Sequence, residues 1–250
     1  MKLKIASYNV SGGFYIGDES TEYLDREASD KIDNRLLTDL IEIINKENID
    51  VLCLQEVITT ERIKYIDQIK ESTNLKYSES FELSPCNLVK DTDCGLAILS
   101  KYPLSNTQKQ IFTNPKLAKT TSSGNTYYTY DKGCLYTTIK LKEEKITILT
   151  HHGFPYRRFN STPEANPNIF LEFDEIVKNN NIDVITGDFN ADNFEELMLY
   201  TKENYIRTIN NITTVDGKKF DDILIKNDIK YNTEIKKSVS DHYMVITTIE

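Results

Sequence analysis

Polar and apolar residues alternate in "KLKIASYNV" at the start of the chain, the pattern of a strand with one buried face. The acid-rich stretch from Ser11 to Ser29 abandons that alternation and reads as a long loop. From Asp30, a suitable helix N-cap, the period changes. Ile32, Leu36, Leu37, Leu40, Ile43 and Ile44 recur as one face of a helix running up to "NKENID". "VLCLQEV" follows as a fully buried strand, and the order strand, helix, strand predicts an α/β fold. Further on, the pattern predicts a helix over 60–72 and strands at "GLAILS" and "CLYTTIKL". A tight "KEEK" turn leads into a strand at "ITILTHH", followed by a helix over 167–179 and strands at "DVITGDFN", "FDDILI" and "HYMVITTI". No repeat and no Gly/Ser/Pro-rich linker divides the 250 residues, so a single domain over 1–250 is expected.

These strands end in polar clusters instead of neutral turns. Asn9 ends the first, Gln55 and Glu56 the second, His151 and His152 a third, Asp188 and Asn190 a fourth, and "SDH" (Ser240 to His242) opens the last. Each cluster alone has an ordinary explanation: a turn asparagine, a solvated strand end, a helix cap. On one shared sheet edge, however, such groups converge in a cleft even when far apart in sequence. Glu56, Asp241 and the amide oxygen of Asn9 are hard oxygen donors that suit Mg²⁺. Asp188 can then polarise a water, Asn190 donate to a phosphoryl oxygen, and His242 face the charge developing on phosphorus. The chain has no GxSxG elbow, P-loop or GxGxxG turn, which disfavours acyl transfer, Walker-type hydrolysis and dinucleotide chemistry.

In order along the chain, "SYNV", "DVLCLQEV", "GLAILSKYPL", "ITILTHHG", "VITGDFNAD", "FDDILI" and "SDH" resemble the motifs of the endonuclease/exonuclease/phosphatase superfamily. That resemblance implies a four-layer α/β sandwich, two facing mixed β-sheets flanked by helices, with the cleft at one sheet edge. It also implies metal-dependent phosphoester hydrolysis. Carried over, it makes Glu56 the main Mg²⁺ ligand (Mn²⁺ as substitute), helped by Asn9 and Asp241. Asp188 orients or deprotonates water beside Asn190, and His242 stabilises phosphate, oriented by Asp221. The family's "TH" histidine matches either His151 or His152, and alternation along a strand sends the two to opposite faces, so only one serves the site. The acidic insertion after the first strand sets the chain apart from apurinic endonucleases.

Composition narrows the substrate without naming it. With 30 basic and 39 acidic residues the net charge is −9, so phosphate binding has to be local. Residues 101–130 carry Lys101, Lys109, Lys116 and Lys119 with no acid and end in "YYTY", interleaving cations with stacking rings. Arg157 and Arg158 follow "HHGFP" as candidate substrate-binding cations. The expected activity is a phosphodiesterase acting on nucleic acid or a nucleotide. The rivals are a phosphatase or phospholipase-type enzyme for inositol phosphates or lipid headgroups, and a catalytically silent binding module. Four cysteines without CxxC spacing, and no signal peptide or membrane span, lead us to expect a cytoplasmic monomer with reduced thiols.

Overall fold

The structure, a computed structural model, describes residues 2–13, 34–192 and 205–250. Asp30, Ile32 and most of the acidic 11–29 segment lie outside them. The described strands are β1 (Leu3–Asn9), β2 (Val51–Ile58), β3 (Tyr77–Pro85), β4 (Asp93–Ser100), β5 (Leu104–Ile111), β6 (Ala118–Thr120) and β7 (Thr126–Tyr128). They continue with β8 (Gly133–Lys140), β9 (Lys145–His152), β10 (Val184–Asp188), β11 (Tyr205–Arg207), β12 (Asp221–Lys226), β13 (Tyr231–Lys236) and β14 (Met244–Ile249). The helices are α1 (Asn34–Glu47), α2 (Tyr65–Ser72) and α3 (Pro167–Asn179). The helix expected over 60–72 is broken. A 3-10 turn at Glu61–Ile63 and Lys64 in the left-handed region (φ 53°) precede α2.

Two six-stranded sheets result, ordered β13-β14-β1-β2-β4-β3 and β11-β12-β10-β9-β8-β5, and β6 pairs with β7 in a separate hairpin. Each large sheet has one parallel pair at its centre, β1 with β2 and β10 with β9, and antiparallel pairs to either side. Alternation along the strands then fills the layers. Leu3 and Ile5 of β1, Val51 and Cys53 of β2, Ile146 and Ile148 of β9 and Ile223 and Ile225 of β12 pack between the sheets. Ala6, Tyr8, Leu52 and Leu54 point the other way, onto Leu36, Leu40 and Ile44 of α1 and Ile69 of α2. Leu149, Ile185 and Leu224 likewise meet Phe170, Phe173 and Val177 of α3. The chain is therefore layered helix, sheet, sheet, helix. Burying each Leu, Ile, Val or Phe among them contributes about 1.5–3 kcal/mol, which makes this sorting of faces decisive for register.

The inter-sheet layer turns polar toward the ends of the parallel pairs. Gln55 Nε2 reaches across the sheets to Thr150 Oγ1 at 2.9 Å and also contacts Ser7 Oγ at 3.3 Å. One step further out the strands open into the cleft. Gly187 permits this crowding, since a Cβ there would lie 2.3 Å from the His151 carbonyl oxygen.

Candidate active site

The side chains that collect at this edge come from both sheets. In β10, the inter-sheet face carries Val184, Thr186 and then Asp188, and in β9 it carries Ile146, Ile148, Thr150 and then His152. Register sets Asp188 beside His152 on one side and beside Asp221 on the other. Glu56 would face the helix layer if β2 alternated without interruption. A bulge between Leu54 and Val57 leaves Glu56 as the extra residue, with φ 51°, and turns it into the cleft.

Glu56, His152, Asp188, Asn190, Asp241 and His242 line one cavity of about 270 Å³. Asn9 stands directly behind its wall, donating from Nδ2 to Asp188 Oδ2 at 3.0 Å while its Oδ1 accepts from the Ser11 amide at 2.9 Å. Asp221 stands behind His242, with Oδ2 2.8 Å from Nδ1. The neighbouring Asp222 points to the opposite face and accepts from Arg207 Nε at 2.6 Å. Asp241 accepts from the Ser11 hydroxyl and, at 3.2 Å, from Ser240 Oγ. Asn190, at φ 50°, turns the chain out of β10; its backbone N–H donates to Asp188 Oδ1 (N···O 2.9 Å) and its Nδ2 donates to the Gly153 carbonyl at 3.0 Å.

The two adjacent histidines part company. His152 Nε2 lies 3.6 Å from Glu56 Oε1 and 3.5 Å from Asp188 Oδ2, inside the cleft. His151 faces the helix layer, where its ring packs 5.0 Å from Phe173 and 4.4 Å from Phe189. Its place in the catalytic candidate set is therefore corrected, because it has no face toward the cavity. Arg158 lines the cavity, whereas Arg157 is paired with Asp192 at 3.3 Å outside it, which corrects the expected arginine pair.

Burial and charge crowding shape the protonation of this cluster. Burial raises Glu56, and Asp241 and Asp188 add to the rise while Lys132 opposes it. Burial likewise raises Asp188, partly offset by His242. Burial alone would lower His242, but Asp221, Asp241 and Asp188 outweigh it and hold the imidazole well above its usual pKa. His152 goes the other way, lowered by burial and by Lys132 and His242. Lys132 is the residue that sequence reasoning missed. Its Nζ lies 3.0 and 3.1 Å from the two ring nitrogens of His152, and burial lowers its pKa against the pull of Glu56 and Asp188. The signal was present as a basic residue just before the apolar strand "GCLYTTIKL".

Two groupings can be weighed as a cation site. Asp188, Asp221 and His242 bring one ligand atom each within 4.8 Å, but Asp221 and His242 are bonded to each other and a protonated His242 repels a cation. Glu56 and Asp241, with the amide oxygen of Asn9 behind them, form an all-oxygen set in which burial and Asp241 raise Glu56 against the pull of Lys132 and His242. That donor chemistry fits a hard divalent ion.

Residues 6–242 match the Endonuclease/Exonuclease/phosphatase family. The chain belongs to that family. It is thus a metal-dependent phosphoric ester hydrolase. No curated protein matches the sequence. Among solved structures, an endonuclease/exonuclease/phosphatase family protein from Leptotrichia buccalis shares 16% identity at TM-score 0.68, covering 99% of each chain. The human Nocturnin catalytic domain with bound sulfate shares 16% identity at TM-score 0.66, covering 100% of this chain and 93% of that one. Sphingomyelinase C from Streptomyces griseocarneus shares 14% identity at TM-score 0.64, covering 100% of both. At these identities the likeness speaks for the fold.

Proposed function

We propose that this family member is a Mg²⁺-dependent phosphodiesterase acting on nucleic acid or a nucleotide. The observation that carries the reading is the single cavity shared by Glu56, His152, Asp188, Asn190, Asp241 and His242, backed by the Asp221–His242 bond of 2.8 Å. Glu56, Asp241 and Asn9 would hold the ion, which supplies Lewis-acid stabilisation of phosphoryl oxygen when bound. The rest of the chemistry belongs to the chain. Asp188, held by Asn9 and by the Asn190 amide, takes a proton from water as the new P–O bond forms and the opposite P–O ester bond breaks. His242, kept protonated by Asp221, donates to a phosphoryl oxygen and favours the more charged transition state. His152, neutral in its buried place, positions Asp188 and the ester.

EDTA should abolish hydrolysis across a panel of DNA, RNA, nucleotides, inositol phosphates and sphingomyelin, and Mg²⁺ or Mn²⁺ should restore it. Glu56→Gln should raise the metal concentration for half-maximal rate by about tenfold or more, as expected when a charged hard ligand is lost. Full turnover in EDTA would sink the mechanism.

A further inference from the structure

We infer that the cavity admits one nucleotide at a time, its phosphate on the histidine and carboxylate side and its base stacked against Tyr128 and Tyr130. This rests on the hydrolase reading above and names the substrate class of that same site. The cavity has two kinds of wall. With the polar groups, Tyr127, Tyr128, Tyr130, Phe159 and Phe220 line it, and the lysine and arginine on the wall are Lys132 and Arg158. Tyr128 is 64% exposed and Tyr130 45%, so both offer large rings to solvent at the mouth of a phosphoester site.

These rings are held on a built support. Tyr128 ends β7 and pairs in register with Ala118 of β6. Thr129, between the rings, is buried; its Oγ1 donates to Asn114 Oδ1 at 2.6 Å, and Asn114 Nδ2 reaches the Thr129 carbonyl at 2.9 Å and Asp131 Oδ1 at 2.8 Å. Two aromatic side chains, one ending the hairpin and one two residues beyond it, share the cavity lining with Phe159 and make a platform for a flat π-face. Two further points favour a nucleotide. The volume of about 270 Å³ lies just below the usual range of small-ligand pockets, on the scale of one such unit. Lys109, Lys116 and Lys119 stand outside the wall, so a long phosphate backbone gains nothing from them inside it. Lys132 and Arg158 suit the phosphate, and phosphocholine, whose quaternary ammonium is the other group that aromatic rings favour, is the comparison that decides.

The test is calorimetry of the wild-type chain in Mg²⁺ with adenosine 5′-monophosphate, ribose 5-phosphate and phosphocholine, three phosphates that differ in what lies beyond the phosphate. Adenosine 5′-monophosphate should bind at least about tenfold more tightly than either of the others, the lower part of the range for one stacked base. That advantage should vanish in the Tyr128→Ala, Tyr130→Ala double variant and persist in the corresponding double Phe variant, with thermal midpoints showing both to be folded. Equal binding of the adenosine and ribose phosphates overturns the inference, and so does a phosphocholine preference that depends on the same tyrosines. Hydrolysis of base-free phosphoesters, measured in parallel, separates the two readings: turnover without base preference removes only the stacking, and base preference without turnover of any ester removes only the hydrolase.

Discussion

His151 and His152 are adjacent in sequence and opposite in surroundings, so they separate catalysis from stability. His152→Ala should lower kcat by roughly 10²-fold, the loss expected when a group that positions the base and the ester disappears from a site. His151→Leu should leave kcat near the wild-type value and act on acid stability instead. Burial lowers the His151 pKa from 6.5 to about 3. An unfolded chain therefore takes up this proton before the folded one does. The stability is whole above the unfolded pKa and falls as the pH drops below it, by up to about 1.4 kcal/mol per unit until the folded pKa is reached. Between pH 7 and pH 5 the unfolding free energy from urea melts should thus fall by about 2 kcal/mol less in the Leu variant. An identical pH dependence would show that His151 is not held neutral. The sequence left this choice open because alternation says that the two rings diverge without saying which face meets the cleft; that depends on where α3 lies.

At the scale of elements, what was legible follows burial. Strands at sheet centres announce themselves: "VLCLQEV", "GLAILS", "ITILTHH" and "DVITGDFN" became β2, β4, β9 and β10. The edge strands were missed. "YSESFELSP" (β3), "LSNTQKQI" (β5) and "YNTEIK" (β13) are largely exposed or half-buried, so their composition carries little alternation to read. The site residues at strand ends were legible because a polar group there interrupts an apolar run, and the tyrosines of "YYTY" because rings follow an acid-free stretch, whereas Lys132, one basic residue among several ahead of a strand, did not stand out. The bulge that aims Glu56 was invisible, since an extra residue in one strand exists only relative to its partner. One prediction belongs here, because it joins β12 to the loop before β14. If Asp221 serves only to hold His242, then Asp221→Asn with His242→Ala should have a kcat/KM within about threefold of His242→Ala alone, the non-additivity of residues acting as a unit. Losses that multiply would make Asp221 a structural residue at a strand start.

For the whole molecule, the same strand arrangement occurs twice, and the cleft lies where the two central parallel pairs end together. Asn9 and Glu56 come from one sheet, and His152, Asp188 and Asp221 from the other, so the site exists only while the sheets face each other. Around this cleft the chain carries a net charge of −9. A protein that tracks a nucleic acid strand shows the reverse, a basic surface whose released counterions give log K a steep slope against log salt, near −0.7 for each single-strand phosphate neutralised. Here Lys132 and Arg158 are the lysine and arginine on the cavity wall, and Lys109, Lys116 and Lys119 stand outside it. Two neutralised phosphates correspond to a slope of about −1.4. We expect a single-stranded oligonucleotide to bind with a slope no steeper than about −2, unchanged when Lys109, Lys116 and Lys119 are all replaced by Gln. Fluorescence anisotropy across a salt series measures it. A slope of about −4 that the triple replacement flattens would mean that the acid-free 101–130 segment carries a strand past the cleft, and the acidic surface would then be a poor guide to the substrate.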